Sequence, residues 1–514
     1  MNGINSKLPL RLVFPIFIVY IVISAFGLHY HELGLEEGQH FLFGRDSTSL
    51  PDLYQNMRYE GHPRLWGCLM YFITHYITAS YIGLQVFHLL ITAATVFIFL
   101  RYAPFNLLIK LLVIFGYYLL FEYDLLSRSY SLGILFVFIT CQLLADTGKY
   151  LPYIGCMLLL LCNTDLFYAF AAVGIFLYLL IEYAEKNKLF TPSFYLLTVL
   201  FLLGIASSLI QAQIPRADYV IQTVPAEWLS PKHLSAGMYA LIRGWLPIPL
   251  AGGHFWNTYW LNKDNMGGVV PYVLFLFLLL LPGVLLKDDR KALVFYYCSL
   301  FLLLAFLTIT TMGASRYFGM VFIYFLAACW MREHRSTDIL SLKNGRDMPP
   351  VRFLFRASFY LLLVIQALTG LYALIQDLTR PFSQSKNAVA YINKHQLSDQ
   401  EIVVDGYITG PALSTYLGKK VFYLNTGQEG SFCYWRRPYF PLIRKTIDQE
   451  MSQAAFLQGV GKFILISDRQ MSERVIRSEN GVFQFDPLCN FQNGILATED
   501  NYIYQATRKM NNQM

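Results

Sequence analysis

Residues 8–27 read LPLRLVFPIFIVYIVISAFG, and residues 28–46, which follow directly, read LHYHELGLEEGQHFLFGRD. The first run is apolar and has about the length that an α-helix needs to cross a bilayer. It is followed by His29, Tyr30, His31 and Glu32, whereas a signal peptide ends in a cleavage site of small residues. The sequence therefore predicts a retained first membrane span that leads straight into a polar, acidic loop.

The composition of the whole chain also indicates membrane residence. Of the 514 residues, 55% are hydrophobic and only 14% are charged, and the mean hydropathy is +0.43. Soluble domains carry about 25% charged residues, so an ordinary cytosolic enzyme and a disordered protein are both excluded. The net charge of +7 suggests nucleic acid as a partner, but basic loops that orient membrane spans account for it. We expect a lipid bilayer, and no nucleic acid, as the partner of this protein.

Further apolar stretches follow the first one along the chain. A membrane helix has roughly 17–25 residues, and most of these stretches have about this length. They predict an α-helical polytopic membrane protein with about 11 transmembrane helices. The predicted spans are 8–27, 81–100, 104–121, 130–145, 150–163, 166–182, 192–211, 268–286, 292–310, 317–331 and 353–376.

The distribution of Lys and Arg predicts the orientation of these spans. If the N-terminus is cytoplasmic, the inner segments carry more basic residues than the outer loops, although the outer loops are longer. Cytoplasmic loops show this excess, so we expect a multi-pass protein of the cytoplasmic (inner) membrane. Eleven spans then place the C-terminal tail outside the cytoplasm.

Two of the outer loops are long, 28–80 and 212–267. In the first, residues 63–76 are apolar with interspersed His and Tyr, which predicts a helix lying in the membrane interface. The second contains four tryptophans, which favour the membrane–water interface and which also bind sugar rings. They are Trp228, Trp245, Trp256 and Trp260.

The composition changes to that of a soluble domain near Leu378. We therefore divide the chain into a membrane module, 1–376, and an extracytoplasmic domain, 377–514. Short apolar runs alternate with helical stretches in the second part, which indicates a soluble α/β domain with a partly parallel sheet. The predicted strands are 402–404, 421–424, 463–466, 482–485, 494–498 and 502–506, and the predicted helices include 383–395 and 440–459.

Two cysteines, Cys433 and Cys489, lie in this domain. An oxidising compartment would allow a disulfide between them, and two unpaired thiols are the alternative. The sequence leaves both open.

The first outer loop contains the densest group of ionisable residues, and Glu36 and Glu37 come less than three helical turns after the first span. A carboxylate that is partly desolvated there would have a raised pKa and would serve as a general base. His62 stands directly before Pro63, at the start of the predicted interfacial helix. A solvated loop with no chemistry is the plainer interpretation of the same charges.

A second cluster lies in the short outer loop after the third span and contains Glu122, Asp124 and Arg128. Two carboxylates and a guanidinium can form a closed set of ion pairs. The carboxylates can instead bind a divalent metal, Mg²⁺ or Mn²⁺, and the guanidinium can bind a phosphate. Arg316, at the start of the tenth span, would bind either lipid headgroups or a lipid-linked phosphate.

The order of these features resembles the GT-C superfamily of membrane glycosyltransferases. The bacterial branch is related to protein O-mannosyltransferases and lipid A aminoarabinose transferases. Three segments carry the resemblance: LEEGQ through FGRD (35–46), RYEGHP with the following LW (58–66), and Glu122 with RSYSLG (128–133). The likeness is strong over about 10–145, diffuse to about 376 and weak in the tail. The acidic pair of the superfamily usually begins with Asp, and here it begins with Glu36.

The resemblance implies a reaction class and a set of roles. The donor would be a sugar linked to polyprenyl phosphate, and the acceptor a hydroxyl or amine of a glycan, lipid or protein at the outer face. Glu36 would be the general base, with Glu37 as its partner. The leaving phosphate would be bound by Arg128 and Arg316, with Arg58 and Arg243 as further candidates. Glu122 and Asp124 would orient the acceptor or bind a divalent metal. His62 is a further candidate for contact with the acceptor.

Two other functions fit the same sequence. A transporter or flippase of lipid-linked glycans needs ionisable residues facing a cavity at mid-membrane, and the predicted spans contain few. A polymerase or ligase of lipid-linked glycans would use the same kind of site. A non-catalytic membrane anchor would need far fewer spans.

Overall fold

The structure, a computed structural model, describes residues 8–215, 217–220, 230–261, 268–310, 313–333, 349–441 and 443–509. Most of the membrane module is helical. Its helices are α1 (Leu10–Tyr30), α2 (Leu35–Asp46), α3 (Leu50–Asn56), α4 (Leu65–Tyr76), α5 (Tyr81–Tyr102), α6 (Leu107–Ile114), α7 (Ser129–Leu143), α8 (Thr147–Thr164), α9 (Leu166–Glu185), α10 (Pro192–Gln211), α11 (Pro231–Trp245), α12 (Val270–Leu286), α13 (Arg290–Thr310), α14 (Ser315–Glu333) and α15 (Pro350–Thr379).

Among the described residues, seven helical stretches are long and apolar enough to cross a membrane. They are α1, α5, the stretch 129–164, α9, α10, α13 and α15. The predicted polytopic helical architecture is therefore confirmed, and the count of eleven spans stays a prediction.

The stretch 129–164 is a hairpin of two helices. A straight helix of this length would separate its ends by about 54 Å. The hydroxyl of Tyr168, just after α8, nevertheless donates to the carbonyl of Tyr130, at the start of α7, over 2.6 Å. A short 3₁₀ turn, Leu144–Asp146, reverses the chain between them. Two antiparallel helices match the two stretches predicted at 130–145 and 150–163.

The predicted span 104–121 is not one continuous helix. Helix α6 ends at Ile114, and a π-helical turn covers Tyr118–Glu122. Gly116 lies at the break, where α15 approaches so closely that a Cβ on Gly370 would come within 2.9 Å of the Gly116 carbonyl carbon. Glycine is a poor helix former, so the helix ends where the backbones meet.

Helix α14 lies at the centre of the membrane module. Every side chain from Ser315 to Arg332 is buried. Trp245, at the end of α11, is also fully buried, beside Phe322 and Phe325. The prediction of an interfacial anchor at Trp245 is therefore wrong, because α11 packs against α14 and leaves the Trp245 side chain no exposed surface. Trp228 lies outside the described residues.

The first outer loop folds into α2, α3 and α4, and the predicted helix at 63–76 is present as α4. Helices α2 and α4 touch backbone to backbone, because a Cβ on Gly44 would lie only 2.6 Å from the carbonyl carbon of Met70. This close packing holds α2 in place at the outer end of α1.

The tail contains α16 (Ser385–Lys394), α17 (Gly410–Leu417) and α18 (Ile447–Gln453) around one seven-stranded sheet. The strand order is β3-β2-β1-β4-β7-β6-β5, with β1 parallel to both β2 and β4 and the other pairs antiparallel. The strands are β1 (Glu401–Asp405), β2 (Val421–Tyr423), β3 (Gln428–Gly430), β4 (Lys462–Ser467), β5 (Val475–Ser478), β6 (Gly481–Phe491) and β7 (Asn501–Arg508).

The partly parallel α/β sheet is confirmed, with local corrections. Residues 494–498 form no strand but a loop that enters a 3₁₀ turn at 497–499. The predicted helix 440–459 is reduced to α18 and a 3₁₀ turn. Cys433 and Cys489 are free thiols, so the structure has the unpaired alternative.

The tail packs on the first outer loop through α17. A Cβ on Gly38 of α2 would meet the carbonyl oxygen of Pro411 at 3.2 Å. The Tyr416 hydroxyl accepts from the Leu33 N–H over 2.6 Å, and a Glu499 oxygen accepts from the Leu35 N–H over 2.8 Å. The tail thus fixes the chain on both sides of the point where α2 begins.

We predict that Gly44→Ala destabilises the protein by about 1–3 kcal/mol, because an added methyl group forces α2 away from the α4 backbone. The measurement is the thermal unfolding of the purified protein in detergent. Gly461→Ala is the matched control, since nothing lies within 4 Å of its Cβ position. Equal unfolding temperatures for both variants would contradict the packing described.

Candidate functional site

The first turn of α2 carries the two predicted catalytic carboxylates and points them in different directions. Successive residues of a helix are rotated by about 100°. Glu36 therefore faces a cavity beside α2, whereas the side chain of Glu37 is turned into the protein and is 3% exposed.

Glu36 is bound by two arginines at once. Its Oε2 pairs with Nη1 of Arg128, and its Oε1 pairs with Nη2 of Arg316. Arg128 stands directly before α7, and Arg316 is the second residue of α14. The Glu36 side chain is 25% exposed and each guanidinium is 9% exposed. Three residues distant in sequence thus meet where the sequence predicted one site.

A cavity of about 220 Å³ opens beside this group. Its lining comes from the two long loops, 28–80 and 212–267, from the segments that lead into α7 and α14, from the start of α14 and from the tail. Its lining residues are Glu36, Gln39, His40, Glu60, His62, Arg128, Tyr219, Gly313, Ala314, Arg316, Tyr317 and Trp435.

Glu37 has a positioning role in this arrangement. Its Oε1 accepts from the Ser127 N–H over 2.7 Å, and its Oε2 lies 3.1 Å from Nε2 of His31. The other nitrogen of His31, Nδ1, lies 2.9 Å from Oδ2 of Asp377, near the end of α15. Glu37 thereby links α2 to the loop that carries Arg128.

His31 is a buried cation between two carboxylates. Burial alone would lower its pKa, but Asp377 and Glu37 outweigh burial and raise the pKa of His31 to about 10. Both ring nitrogens then donate hydrogen bonds, as a charged imidazolium does. The first span, α2 and α15 are tied together by this one ring.

Two of the predicted phosphate-binding arginines are not among the residues lining the cavity. Arg58 donates to the carbonyl of Gln55 over 3.0 Å and covers the ring of Tyr434. Arg243 covers the ring of Tyr259, with its Cζ 4.1 Å from the ring centroid. The structure therefore leaves Arg128 and Arg316 as the pair that meets at the cavity.

Glu122 and Asp124 are also not among the residues that line the cavity. Glu122 accepts hydrogen bonds from the Tyr117 hydroxyl and the Trp256 indole over 2.8 Å and 3.1 Å. Asp124 accepts one from the Ser24 hydroxyl over 2.5 Å. Within the described ranges, no group of three or more His, Cys, Asp or Glu residues could hold a metal ion. A divalent metal at these two carboxylates stays a prediction.

His62, the further candidate for the acceptor, lines the cavity, and its neighbour Asp165 was not predicted as a site residue. Its Nδ1 lies 3.3 Å from Oδ2 of Asp165, a carboxylate that also caps the start of α9. Asp165 stands between the predicted spans 150–163 and 166–182. A capping position next to a helix start was the available signal.

Gln39, His40 and Glu60 were not predicted as site residues. Gln39 and His40 follow Glu36 at spacings of three and four, which places all three on one face of a helix. This spacing is visible in the sequence. The contributions of Tyr219 and Trp435 depend on tertiary packing and have no such signal.

Comparison with known proteins supports the architecture. No family model and no curated sequence matches this chain. Among solved structures, it resembles the crystal structure of ArnT from Cupriavidus metallidurans bound to undecaprenyl phosphate. The TM-score is 0.51, with 9% identity, and the alignment covers 96% of this chain and 97% of ArnT. At this identity the likeness shows the fold alone, and the fold that this chain shares with ArnT is the one that the resemblance of the motifs predicted.

We predict that the charged state of His31 makes stability depend on pH. A histidine whose pKa rises on folding stabilises the protein fully below its unfolded pKa, about 6.5, and this stabilisation is lost as the pH rises through the folded value. Between pH 6.5 and 10 the wild type should therefore lose stability, and Asp377→Asn should lose less over the same range while being less stable at pH 7.

Thermal unfolding at pH 6.5, 8 and 10 measures this effect. Asp399→Asn, at an exposed position in the tail, is the matched control and should follow the wild type. Parallel curves for Asp377→Asn and the wild type would show that His31 is not a charged link.

Proposed function

We propose that this chain is a glycosyltransferase that moves a sugar from a polyprenyl-phosphate-linked donor to a hydroxyl or amine of an acceptor at the outer face of the membrane. The observation that carries the proposal is the convergence of Arg128 and Arg316 on Glu36 beside a cavity. Two guanidinium groups suit a phosphate, and a carboxylate beside the same cavity can accept a proton once those guanidinium groups bind another anion.

The nature of the donor is supported by the structural likeness. ArnT was crystallised with undecaprenyl phosphate, a lipid of the class that this proposal requires. The two chains share their fold over nearly their full lengths. A site for the phosphate of such a lipid at Arg128 and Arg316 is consistent with both facts.

The reaction is a single displacement at the anomeric carbon of the sugar. The acceptor oxygen or nitrogen forms a bond to that carbon, the bond from the carbon to the phosphate oxygen breaks, and its electron pair leaves with the phosphate. The proton of the acceptor goes to Glu36. The phosphate gains one negative charge during the step, so Arg128 and Arg316 bind it more strongly in the transition state than in the donor.

The ion pairs of Glu36 link the binding of the donor phosphate to the removal of the acceptor proton. Without donor, each Glu36 oxygen is neutralised by one arginine, which makes the carboxylate a weak base. A donor phosphate offers the same arginines a second anion. As they turn to the phosphate, Glu36 loses its counter-charges and becomes more basic, so the base is available once the donor is bound.

The nature of the acceptor stays a prediction: a glycan, a lipid or a protein. So do the outer-face orientation and the inner-membrane location. The side chains that take part in the transfer step, Glu36, Arg128 and Arg316, all line the cavity.

We predict that Glu36→Gln lowers the rate of sugar transfer by about 10²–10⁴, the range for loss of a general base. Arg128→Gln and Arg316→Gln should each lower kcat by about 10²–10³, as for other groups that bind developing charge. The assay incubates the purified protein with polyprenyl-phosphate sugars and an extract of acceptors, and measures the polyprenyl phosphate released.

Arg474→Gln, at an exposed position in the tail, is the control and should keep wild-type activity. Normal transfer by Glu36→Gln would remove Glu36 from the role of base. Wild-type protein that releases no polyprenyl phosphate from any donor, but moves lipid-linked sugars across vesicles, would favour a flippase instead.

A further inference from the structure

The cavity has a second group of polar residues, beside the arginines, which the transfer step does not use. Glu60, Gln39 and His40 come from the first outer loop and Trp435 comes from the tail. Three of these four are strongly buried: Gln39 is 1% exposed, and the side chains of Glu60 and His40 are 5% and 12% exposed. Buried polar groups that line a cavity cost free energy unless they have partners.

The carboxylate of Glu60 is held in place from both sides of the interface with the tail. Its Oε1 accepts from Nε2 of Gln39 over 2.8 Å, and the Trp435 side chain donates a second hydrogen bond. Burial raises the pKa of Glu60 to about 7, although both donors act to lower it. A carboxylate held in this way keeps acceptor capacity for a ligand that enters the cavity.

His40 offers a further acceptor with a defined tautomer. Its Nδ1 lies 2.7 Å from the Glu36 carbonyl oxygen, and a carbonyl only accepts, so the ring proton is on Nδ1. Burial, with His62 and Arg316 nearby, lowers the pKa of His40 to about 3, and the ring is neutral. Nε2, 3.9 Å from Oε2 of Glu60, is therefore an unprotonated acceptor.

The tail contributes one aromatic side chain, Trp435, to the lining of the same cavity. The ring of Trp435 stacks on Phe440 with a centroid distance of 4.8 Å. The neighbouring residue Cys433 is fixed to the loop, since its N–H and its thiol both donate to Oε1 of Gln39, over 3.3 Å and 3.0 Å. The backbone carbonyl of Trp435 also accepts from the Val220 N–H over 3.2 Å. Trp435 is thus held rigidly at the cavity.

Two hydrogen-bond acceptors beside a fixed aromatic ring suit a sugar, whose hydroxyl groups donate and whose C–H faces pack on aromatic rings. The volume of about 220 Å³ is smaller than the roughly 300–1,000 Å³ of pockets for drug-sized ligands, so a single ring fits better than a chain of sugars. The anomeric carbon of a donor is joined to its phosphate through one oxygen, so the donor sugar must lie next to Arg128 and Arg316.

From this juxtaposition we infer that Glu60, His40 and Trp435 form the binding site for the donor's sugar ring, and that the tail domain completes it and helps to select the sugar. This inference rests on the proposed function, because it takes the arginines as the phosphate site. Glu60 and His40 would accept hydrogen bonds from ring hydroxyls, and an amino group on the sugar would donate to the same two acceptors.

The test compares lipids with and without a sugar, using the full-length protein in nanodiscs. The probes are undecaprenyl phosphate alone and undecaprenyl phosphate carrying glucose, mannose, galactose, N-acetylglucosamine or aminoarabinose. For the wild type we expect at least one sugar-bearing lipid to bind about 10-fold more tightly than undecaprenyl phosphate. Glu60→Gln and Trp435→Ala should lower this preference about 10-fold, the order of a hydrogen bond to a charged group.

Undecaprenyl phosphate alone measures correct folding and the phosphate site together, and its affinity should change less than twofold in both variants. Trp435→Phe, which keeps a ring but loses the N–H, should give an intermediate preference. Glu429→Gln, at an exposed position of β3, is the matched control and should behave as the wild type.

Each other outcome overturns a defined part of the inference. A wild type that binds undecaprenyl phosphate but prefers no sugar-bearing lipid, or variants that keep the preference, would reject the sugar site alone. Variants that weaken both kinds of lipid equally would show that Glu60 and Trp435 only maintain the fold. If they raise the KM for acceptor and leave the donor preference unchanged, the space belongs to the acceptor. A wild type that binds no polyprenyl phosphate would reject the proposed function and this inference with it.

Discussion

The ion pairs of Glu36 with Arg128 and Arg316 are the constraint on which the outer end of the molecule depends. A buried guanidinium needs a counter-charge, and here one carboxylate on α2 serves the guanidinium groups before α7 and on α14. Removing that carboxylate leaves two cations facing each other. Under the proposed function, the phosphate of the donor would replace this carboxylate as the anion, so the substrate would compete for the same interaction that holds three helices together.

A second set of polar contacts fixes the positions of the residues that form these ion pairs. His31 joins the end of α1 to Glu37 and to Asp377 at the end of α15, and Glu37 in turn binds the backbone next to Arg128. Glu36 and Glu37 are thus neighbours in one helical turn with different surroundings: Glu36 faces the cavity and Glu37 faces inwards. The tail adds its own contacts to Leu33, Leu35 and Gln39, so α2 is fixed on both sides by structures far away in sequence.

Much of this could be predicted from the chain alone, because hydropathy over about twenty residues and short apolar runs determine membrane helices and buried strands. Glu36, Arg128 and Arg316 could be proposed from their places beside apolar stretches. The break after α6 could not, since it depends on a close approach of α15 at Gly370. Nor could the roles of Arg58 and Arg243, whose aromatic partners Tyr434 and Tyr259 are set by packing. Trp435 lies about 400 residues from Glu36, and only the folded tail brings it to the cavity.

The buried helix α14 has a consequence for biosynthesis. It is not among the stretches apolar enough to cross a membrane by length and composition, and it carries Arg316 and Arg332 near its two ends. A helix of this kind partitions poorly into lipid by itself, so its insertion depends on the protein surface that α11 and α13, which precede it in the chain, offer to it. Substitutions on those neighbours would then reduce the amount of protein inserted, even where they lie far from the cavity.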